Sequence, residues 1–260
     1  MDKLAVIKIG GNVIEDADIL QSFLTDFAQI QSTKILVHGG GKKATAMANQ
    51  MGIPVQMVEG RRITDTKNLD IITMLYGGKI NKNIVAQLQN LGCNALGLSG
   101  ADGNAIQAVK RPVKTIDYGY VGDVVGVNTE LFQILLKTGY TPVCCAITHN
   151  QKGQLLNTNA DTIAATLAQS LSQYFEVFLG YCFEKQGVLE NIDNDSSVIE
   201  TITPKKYKSL KAEQVIHSGM IPKIDNCFNA LKNGVSSVKI GAPKMIAGIT
   251  PYTSLKLKDE

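Results

Sequence analysis

The chain has 260 residues, 44% of them hydrophobic and 19% charged, with a formal net charge of +3. That length supports a full core, as one large α/β domain or two lobes, and its scattered basic residues, 6% aromatic content and lack of Trp argue against a nucleic-acid groove or stacking platform. No run approaches the ~18 apolar residues of a membrane span, no secretory leader pattern is present and the five cysteines form no C-x-x-C pair. A cytoplasmic protein with reduced, buried thiols, no nucleic-acid partner and no membrane partner is expected.

The first apolar run, Leu4-Ala5-Val6-Ile7-Lys8-Ile9, ends in Gly10-Gly11. This is a buried-strand pattern feeding a turn whose bare backbone N–H groups can close around an anion. Residues 18–31 follow as a helix with Ile19, Phe23, Leu24 and Phe27 on one face. Lys34-Ile35-Leu36-Val37 is a second strand, and His38-Gly39-Gly40-Gly41 is a second glycine turn. A helix is predicted over 43–51, then a turn at Gly52-Ile53-Pro54, then one long helix over 66–91 with Gly77-Gly78 as its point of interruption. Gly92 stops that helix, and 95–98 form a short strand.

Between 105 and 127, β-prone pieces punctuated by Gly119, Gly122 and Gly126 predict a hairpin excursion. A helix over 129–137 and a strand over 141–147 resume the alternation. Further helices are predicted over 160–171, 204–216 and 220–233, with strands over 176–179 and 235–241. Lys256 and Lys258 read as a solvated tail. Alternating βα units imply a mainly parallel central sheet with helices on both faces, a three-layer αβα sandwich. Ligands of such a fold sit at the carboxyl ends of the strands. A lobe boundary is placed near residue 175, giving 1–175 and 176–260.

Two anion turns within 41 residues, the first preceded by Lys8, point to two anionic groups brought together with a mobile charge beside one of them. Phosphoryl transfer is the chemistry this suits. A Walker A loop is not present, because neither Gly41-Lys42-Lys43 nor Gly78-Lys79-Ile80 ends correctly, and the H-R-D and D-F-G sets of protein kinases are missing. Gly39, Gly41 and Ala44 do satisfy G-x-G-x-x-A, with Glu59 about 20 residues on. An NAD(P)-dependent oxidoreductase is therefore an alternative. Asn157-Thr158-Asn159-Ala160-Asp161 leads into a helix, where the bland role is N-capping. Its three amide or carboxylate side chains in five positions exceed what a cap needs. Lys223, one turn into a late helix, is a solvated charge or a second phosphate cation.

These segments resemble, in order, the amino-acid kinase family, and within it enzymes of the N-acetylglutamate kinase type. Lys8-Ile9-Gly10-Gly11 matches the opening Lys-x-Gly-Gly, and His38-Gly39-Gly40-Gly41 the second glycine turn. Gly60-Arg61-Arg62-Ile63-Thr64 is similar to the Gly-x-Arg-x-Thr segment. Gly78-Lys79-Ile80-Asn81-Lys82, Gly97-Leu98-Ser99-Gly100, Gly119-Tyr120-Val121-Gly122, Asn157-Thr158-Asn159-Ala160-Asp161 and Gly219-Met220-Ile221-Pro222-Lys223 complete the set. The resemblance implies transfer of the γ-phosphoryl group of Mg-ATP to the γ-carboxylate of an N-acylglutamate, an early step of arginine biosynthesis.

On that resemblance Lys8 holds the γ-phosphoryl oxygens, Lys223 neutralises the leaving phosphate and Asp161 orients both ammonium groups. Gly10, Gly11, Gly187, Gly219 and Met220 bind nucleotide. Arg62 pairs with the α-carboxylate, Asn157 bonds the acylglutamate, and Gly40 and Gly41 offer N–H groups to the reacting carboxylate. That carboxylate is already ionised at pH 7, so no general base is required, and His38, His149 and His217 need no catalytic role. Mg²⁺ keeps mostly water and phosphate ligands, so no dedicated metal cage and no tightly bound cofactor are expected.

Three departures stand out. Phe183-Glu184 stands where members of the family usually carry a Thr-Asp or Ser-Asp pair, before Gly187-Val188-Leu189; Lys42-Lys43 stands where many of them have Pro-Glu; and Ala101 stands where they often have lysine. The first keeps open a non-catalytic sensor derived from the kinase. The second reads as two solvated lysines opening a helix, or as charge beside the acyl pocket that would favour an N-succinylglutamate acceptor, with its extra carboxylate, over N-acetylglutamate. The resemblance also implies a homodimer through the helix containing residues 78–82. With the first strand starting by about residue 3, it implies insensitivity to arginine as well.

Overall fold

The computed structural model describes residues 1–58, 60–216 and 220–258. Chain order begins with β1 (Lys3–Ile9), α1 (Gly11–Glu15), α2 (Ala17–Ala28), β2 (Thr33–His38) and α3 (Gly41–Gln50). A small hairpin, β3 (Met57–Val58) and β4 (Arg61–Arg62), precedes α4 (Thr66–Ile72), a π-helical stretch (Thr73–Ile80) and α5 (Asn81–Asn90). Then come β5 (Ala95–Leu98), β6 (Ile106–Lys110), β7 (Gly122–Val127), α6 (Thr129–Lys137), β8 (Thr141–Cys145), β9 (Ile147–His149) and β10 (Leu155–Asn157). The chain closes with α7 (Ala160–Leu171), β11 (Glu176–Cys182), β12 (Thr201–Ile202), α8 (Pro204–Ala212), α9 (Ile221–Lys232), β13 (Ser237–Gly241) and β14 (Tyr252–Leu255).

These elements form two compact units, Ile35–Ile163 and Met1–Lys34 with Ala164–Glu260. In the first unit β2, β8 and β5 lie side by side in parallel, with Leu36 opposite Val143 and Leu98 opposite Cys144. The predicted hairpin is present: β6 and β7 pair antiparallel, and β9 and β10 extend them into a four-stranded sheet. The expected long helix over 66–91 is one continuous helical run that widens to π geometry over Thr73–Ile80, across Gly77-Gly78. Tyr76, Ile80, Ile84 and Leu88 line its buried face at four-residue intervals. Asn81, also buried, donates from Nδ2 to the Val143 carbonyl at 2.9 Å, tying the helix to β8. Gly97 of β5 has no side chain because the Asn81 and Lys82 side chains occupy that space.

In the second unit the strands run β12-β14-β13-β11-β1, parallel except for the antiparallel β13–β14 pair. Val6 faces Leu179, and Tyr181 faces Ile240. Helix α2 starts where the Asp16 carboxylate accepts from the Asp18 and Ile19 N–H groups at 3.0 and 2.9 Å, a cap worth about 1 kcal/mol. Its apolar face buries Phe23 and Phe27, whose rings stack at 5.8 Å. At its far end the buried Lys34 ammonium donates to the Ala28 and Ile30 carbonyls at 2.7 and 2.9 Å, as a cation should at the negative end of a helix.

One expectation needs correction. The stretch read as a solvated tail follows an ordered strand, and the Lys256 N–H donates to the Ile202 carbonyl at 3.1 Å. Of the two lysines, Lys256 is half-buried and Lys258 is solvent-exposed. The five cysteines are free and buried as expected, and burial pushes the Cys145 and Cys182 thiols up to about 12. Among the described residues no helix is long and apolar enough to cross a membrane.

Candidate active site

In the unit Ile35–Ile163, the second glycine turn opens α3. Gly40 takes φ +154, and a Cβ there would collide with Ile80 Cδ1 and lie 3.0 Å from the Tyr76 ring. Glycine is therefore required, and the π-helical stretch is what sets those two side chains against the turn. No side chain caps the start of α3 after Gly40, and the first turn of a helix is where backbone N–H groups can meet an anion.

Arg62, on β4, is 7% exposed. Its Nη2 donates to the Gly41 carbonyl at 2.9 Å and to the Thr45 hydroxyl at 2.6 Å. Its Nη1 is buried with no hydrogen-bond partner. A buried guanidinium nitrogen left in that state is costly, and an entering carboxylate oxygen would satisfy it. Burial pushes the neighbouring Tyr76 phenol up to about 12, opposed by the Arg62 charge.

Asn157 joins this cluster through Thr64. Its Nδ2 donates to Thr64 Oγ1 at 3.0 Å, and the Thr64 hydroxyl donates to the Arg62 carbonyl at 3.4 Å. Thr64 also accepts from the Tyr120 N–H at 2.7 Å. The approach is close enough that a Cβ on Gly119, at φ +71, would collide with the Thr64 carbonyl. Segments 60–64, 119–122 and 157–161 are thus one contact cluster. Asn159 does the capping: its Oδ1 accepts from the Asp161 and Thr162 N–H groups at 2.7 and 3.3 Å. Asp161 therefore sits in the first turn of α7, and Ala160 beside it is the neighbour a Cβ on Gly39 would meet at 3.7 Å.

His38 is the satisfied residue expected of it. Its buried ring bonds the Gly39 carbonyl through Nδ1 at 2.9 Å and meets Asn81 Nδ2 at 3.1 Å through Nε2. The Gly39 carbonyl only accepts, which puts the proton on Nδ1 and leaves Nε2 to accept from Asn81. Burial lowers its pKa to about 4, so the ring is neutral at pH 7.

In the other unit, Lys8 is half-buried near the carboxyl end of β1, close enough to Cys182 that its charge opposes the rise of that thiol's pKa. The Gly10 N–H is taken by the Cys182 carbonyl at 3.0 Å, and no side chain caps α1, which starts at Gly11. Glu184 accepts a hydrogen bond from the Asn12 side chain just beyond that turn. Lys223 lies in the first turn of α9, its Nζ 5.6 Å from the centre of the Phe183 ring. Met220 caps α9 with no side-chain bond. Gly187 approaches β14 so closely that a Cβ would lie 2.7 Å from Thr253 Oγ1. Gly219 and His217, like Glu59 of the dinucleotide pattern, lie outside the described residues.

Sequence reasoning did not single out Thr45, Thr64, Tyr76 or Asn12. Thr64 and Asn12 fall within or beside quoted motifs, but only the fold shows what they touch.

The sequence matches the amino acid kinase family over residues 3–242. The chain belongs to that family. It is 55% identical over 241 residues to the acetylglutamate kinase of Cytophaga hutchinsonii, covering 92% of this chain and 91% of the relative. It is 52% identical over 239 residues to the acetylglutamate kinase of Phocaeicola vulgatus, covering 92% of this chain and 93% of the relative. Among solved structures, smu.665 from Streptococcus mutans matches with a TM-score of 0.77 at 28% identity, over 92% of this chain and 94% of that one. Carbamate kinase from Giardia lamblia bound to AMP-PNP matches with a TM-score of 0.71 at 13% identity over 99% of each chain, a likeness of fold alone. The α/β fold with a mainly parallel central sheet, expected from the alternation of elements, is the fold of this amino acid kinase.

Proposed function

We propose that this kinase transfers the γ-phosphoryl group of ATP to the γ-carboxylate of N-acetyl-L-glutamate, giving N-acetylglutamyl 5-phosphate, the second step of arginine biosynthesis. The observation that carries the acceptor assignment is Arg62: a buried guanidinium fastened by Nη2, with Nη1 unpartnered beside a glycine turn. This geometry suits one oxygen of an α-carboxylate. The names of the relatives above support N-acetylglutamate as the molecule that brings it.

The chemistry requires an anionic nucleophile to meet an anionic phosphate, so catalysis is mainly screening and positioning. Gly40, Gly41 and the uncapped start of α3 receive the γ-carboxylate, and Asn157 receives the acyl amide. Lys8 holds the γ-phosphoryl oxygens and Lys223 neutralises the charge growing on the leaving phosphate. Asp161 supplies the carboxylate that the family's motif places at this helix start. Gly187, Gly219 and Met220 serve the nucleotide from 176–260, joined by Gly10 and Gly11 from 1–175, the stretch that otherwise binds the acceptor. Strand β1, with Lys8, packs with the C-terminal residues, which fits its assignment to the phosphate. Mg²⁺ comes with ATP and adds positive charge on its phosphates, keeping mainly water as its other ligands. We further propose a cytoplasmic homodimer.

The test is ADP release with N-acetylglutamate, N-succinylglutamate and free glutamate as acceptors. Turnover with N-acetylglutamate at the highest kcat/KM is expected. Preference for the succinyl compound would assign Lys42-Lys43 to the acyl pocket. Absence of turnover with all three would favour a sensor.

A further inference from the structure

We propose that the dipeptide Phe183-Glu184 is a two-armed positioning device for the nucleotide phosphates, Phe183 aiming the Lys223 ammonium and Glu184 fixing the first glycine turn through Asn12. The proposal rests on the assignment of Lys223 and Gly11 to ATP made above. It explains how the chain works without the hydroxyl and aspartate that the family resemblance leads one to expect at this point.

The dipeptide immediately follows β11, and the Phe183 N–H donates to the Gly241 carbonyl at 3.0 Å, so its backbone is locked across the ends of β11 and β13. From there the half-buried ring presents itself to Lys223 Nζ, 5.6 Å from the ring centre, inside the ~6 Å over which an aromatic face attracts a cation. Such a ring restrains the ammonium and contributes no negative charge. A carboxylate in its place would restrain it while cancelling the charge that a leaving phosphate needs.

The second arm runs the other way along the strand ends. Glu184 accepts from the Asn12 side-chain amide, and Asn12 is the second residue of α1, directly after Gly10-Gly11. The same turn is held by the Gly10 N–H on the Cys182 carbonyl at 3.0 Å. Two consecutive residues therefore reach the two elements that carry the phosphate-binding groups of this unit.

The deciding experiment replaces Phe183 with mono-, di- and trifluorophenylalanine in the full-length enzyme. These residues keep the ring's shape and progressively weaken its negative face. Log kcat is expected to fall stepwise by a total of about 2-fold to 30-fold, the range of cation–π contributions, with KM for N-acetylglutamate unchanged. A purely structural ring predicts a flat series, and a flat series alongside a large kcat loss in Lys223→Ala would overturn the proposal for Phe183. Full activity in Lys223→Ala would overturn the leaving-group assignment beneath it. For the second arm, Glu184→Ala should raise KM for ATP, and Glu184→Gln, whose amide oxygen still accepts from Asn12, should restore it. Equal effects of the two substitutions would overturn that arm.

Discussion

The guanidinium of Arg62 is anchored to Gly41, with Nη2 donating to that residue's carbonyl at 2.9 Å. The residue expected to bind the substrate's α-carboxylate is thus fastened to the turn expected to bind its γ-carboxylate. Spacing between the two ends of the acceptor is built into one hydrogen bond. Arg62→Lys retains the charge, but one ammonium cannot replace a planar fork that serves the turn and the substrate with separate nitrogens. KM for N-acetylglutamate should rise by roughly 10-fold or more, with KM for ATP nearly unchanged. Initial-rate kinetics over both substrates check it, and an unchanged acceptor KM would move the α-carboxylate site elsewhere.

Gly40 tests the role of the π-helical stretch. A methyl at this position meets Ile80 Cδ1 and the Tyr76 ring, so Gly40→Ala should cost about 1–3 kcal/mol in stability through overpacking. It should also raise the acceptor KM by displacing the start of α3. Trimming the obstacle with Ile80→Ala in the same chain should recover part of the acceptor KM. Urea denaturation and kinetics on the single and double variants measure both effects.

His38 predicts an acid limb of stability. Its folded pKa of about 4 lies below its unfolded value near 6.5, so between those values the unfolded chain binds the proton and the folded chain does not. The stabilisation is fully present above pH 6.5 and is lost as the pH falls toward 4, by an amount on the order of 3 kcal/mol. Urea midpoints measured between pH 7.5 and 4 should decline along this limb. His38→Gln should flatten the part of the decline that belongs to the ring.

The proposed homodimer makes the outer face of the helix before α5 informative. Met74 is 54% exposed there, on the surface opposite Tyr76 and Ile80. Light scattering at several protein concentrations should return twice the 28.0 kDa chain mass, and Met74→Glu should shift it toward the monomer. A monomer at every concentration would remove the dimer.

Most of the fold was legible in the residues. The bounds expected for the helices at 129–137 and 160–171 match Thr129–Lys137 and Ala160–Leu171, because each has a polar cap ahead of an apolar stripe. The π-helical stretch was not legible, since Tyr76, Ile80, Ile84 and Leu88 keep a spacing that an α-helix shares. Strand β14 was missed because its four residues show only a short alternation, and the burial of Thr253 depends on Gly187 and Val188 arriving from elsewhere in the chain.

Among the site residues, those within glycine or Asn-rich motifs could be seen in advance, because anion turns and helix starts have local signatures. What Arg62 lacks at Nη1, and what Phe183 does for Lys223, depend on contacts between residues 17 to 40 positions apart. No local pattern records them.

The most direct measurement traps the product. With ATP, Mg²⁺ and N-acetylglutamate, hydroxylamine should convert the acyl phosphate to a hydroxamate at the rate of ADP release. Lys223→Ala and Lys8→Ala should each lower that rate on the order of 10²–10³-fold while remaining folded. Hydroxamate forming at an undiminished rate in either variant would contradict the assigned roles, and its absence from the unaltered enzyme would contradict the kinase account itself.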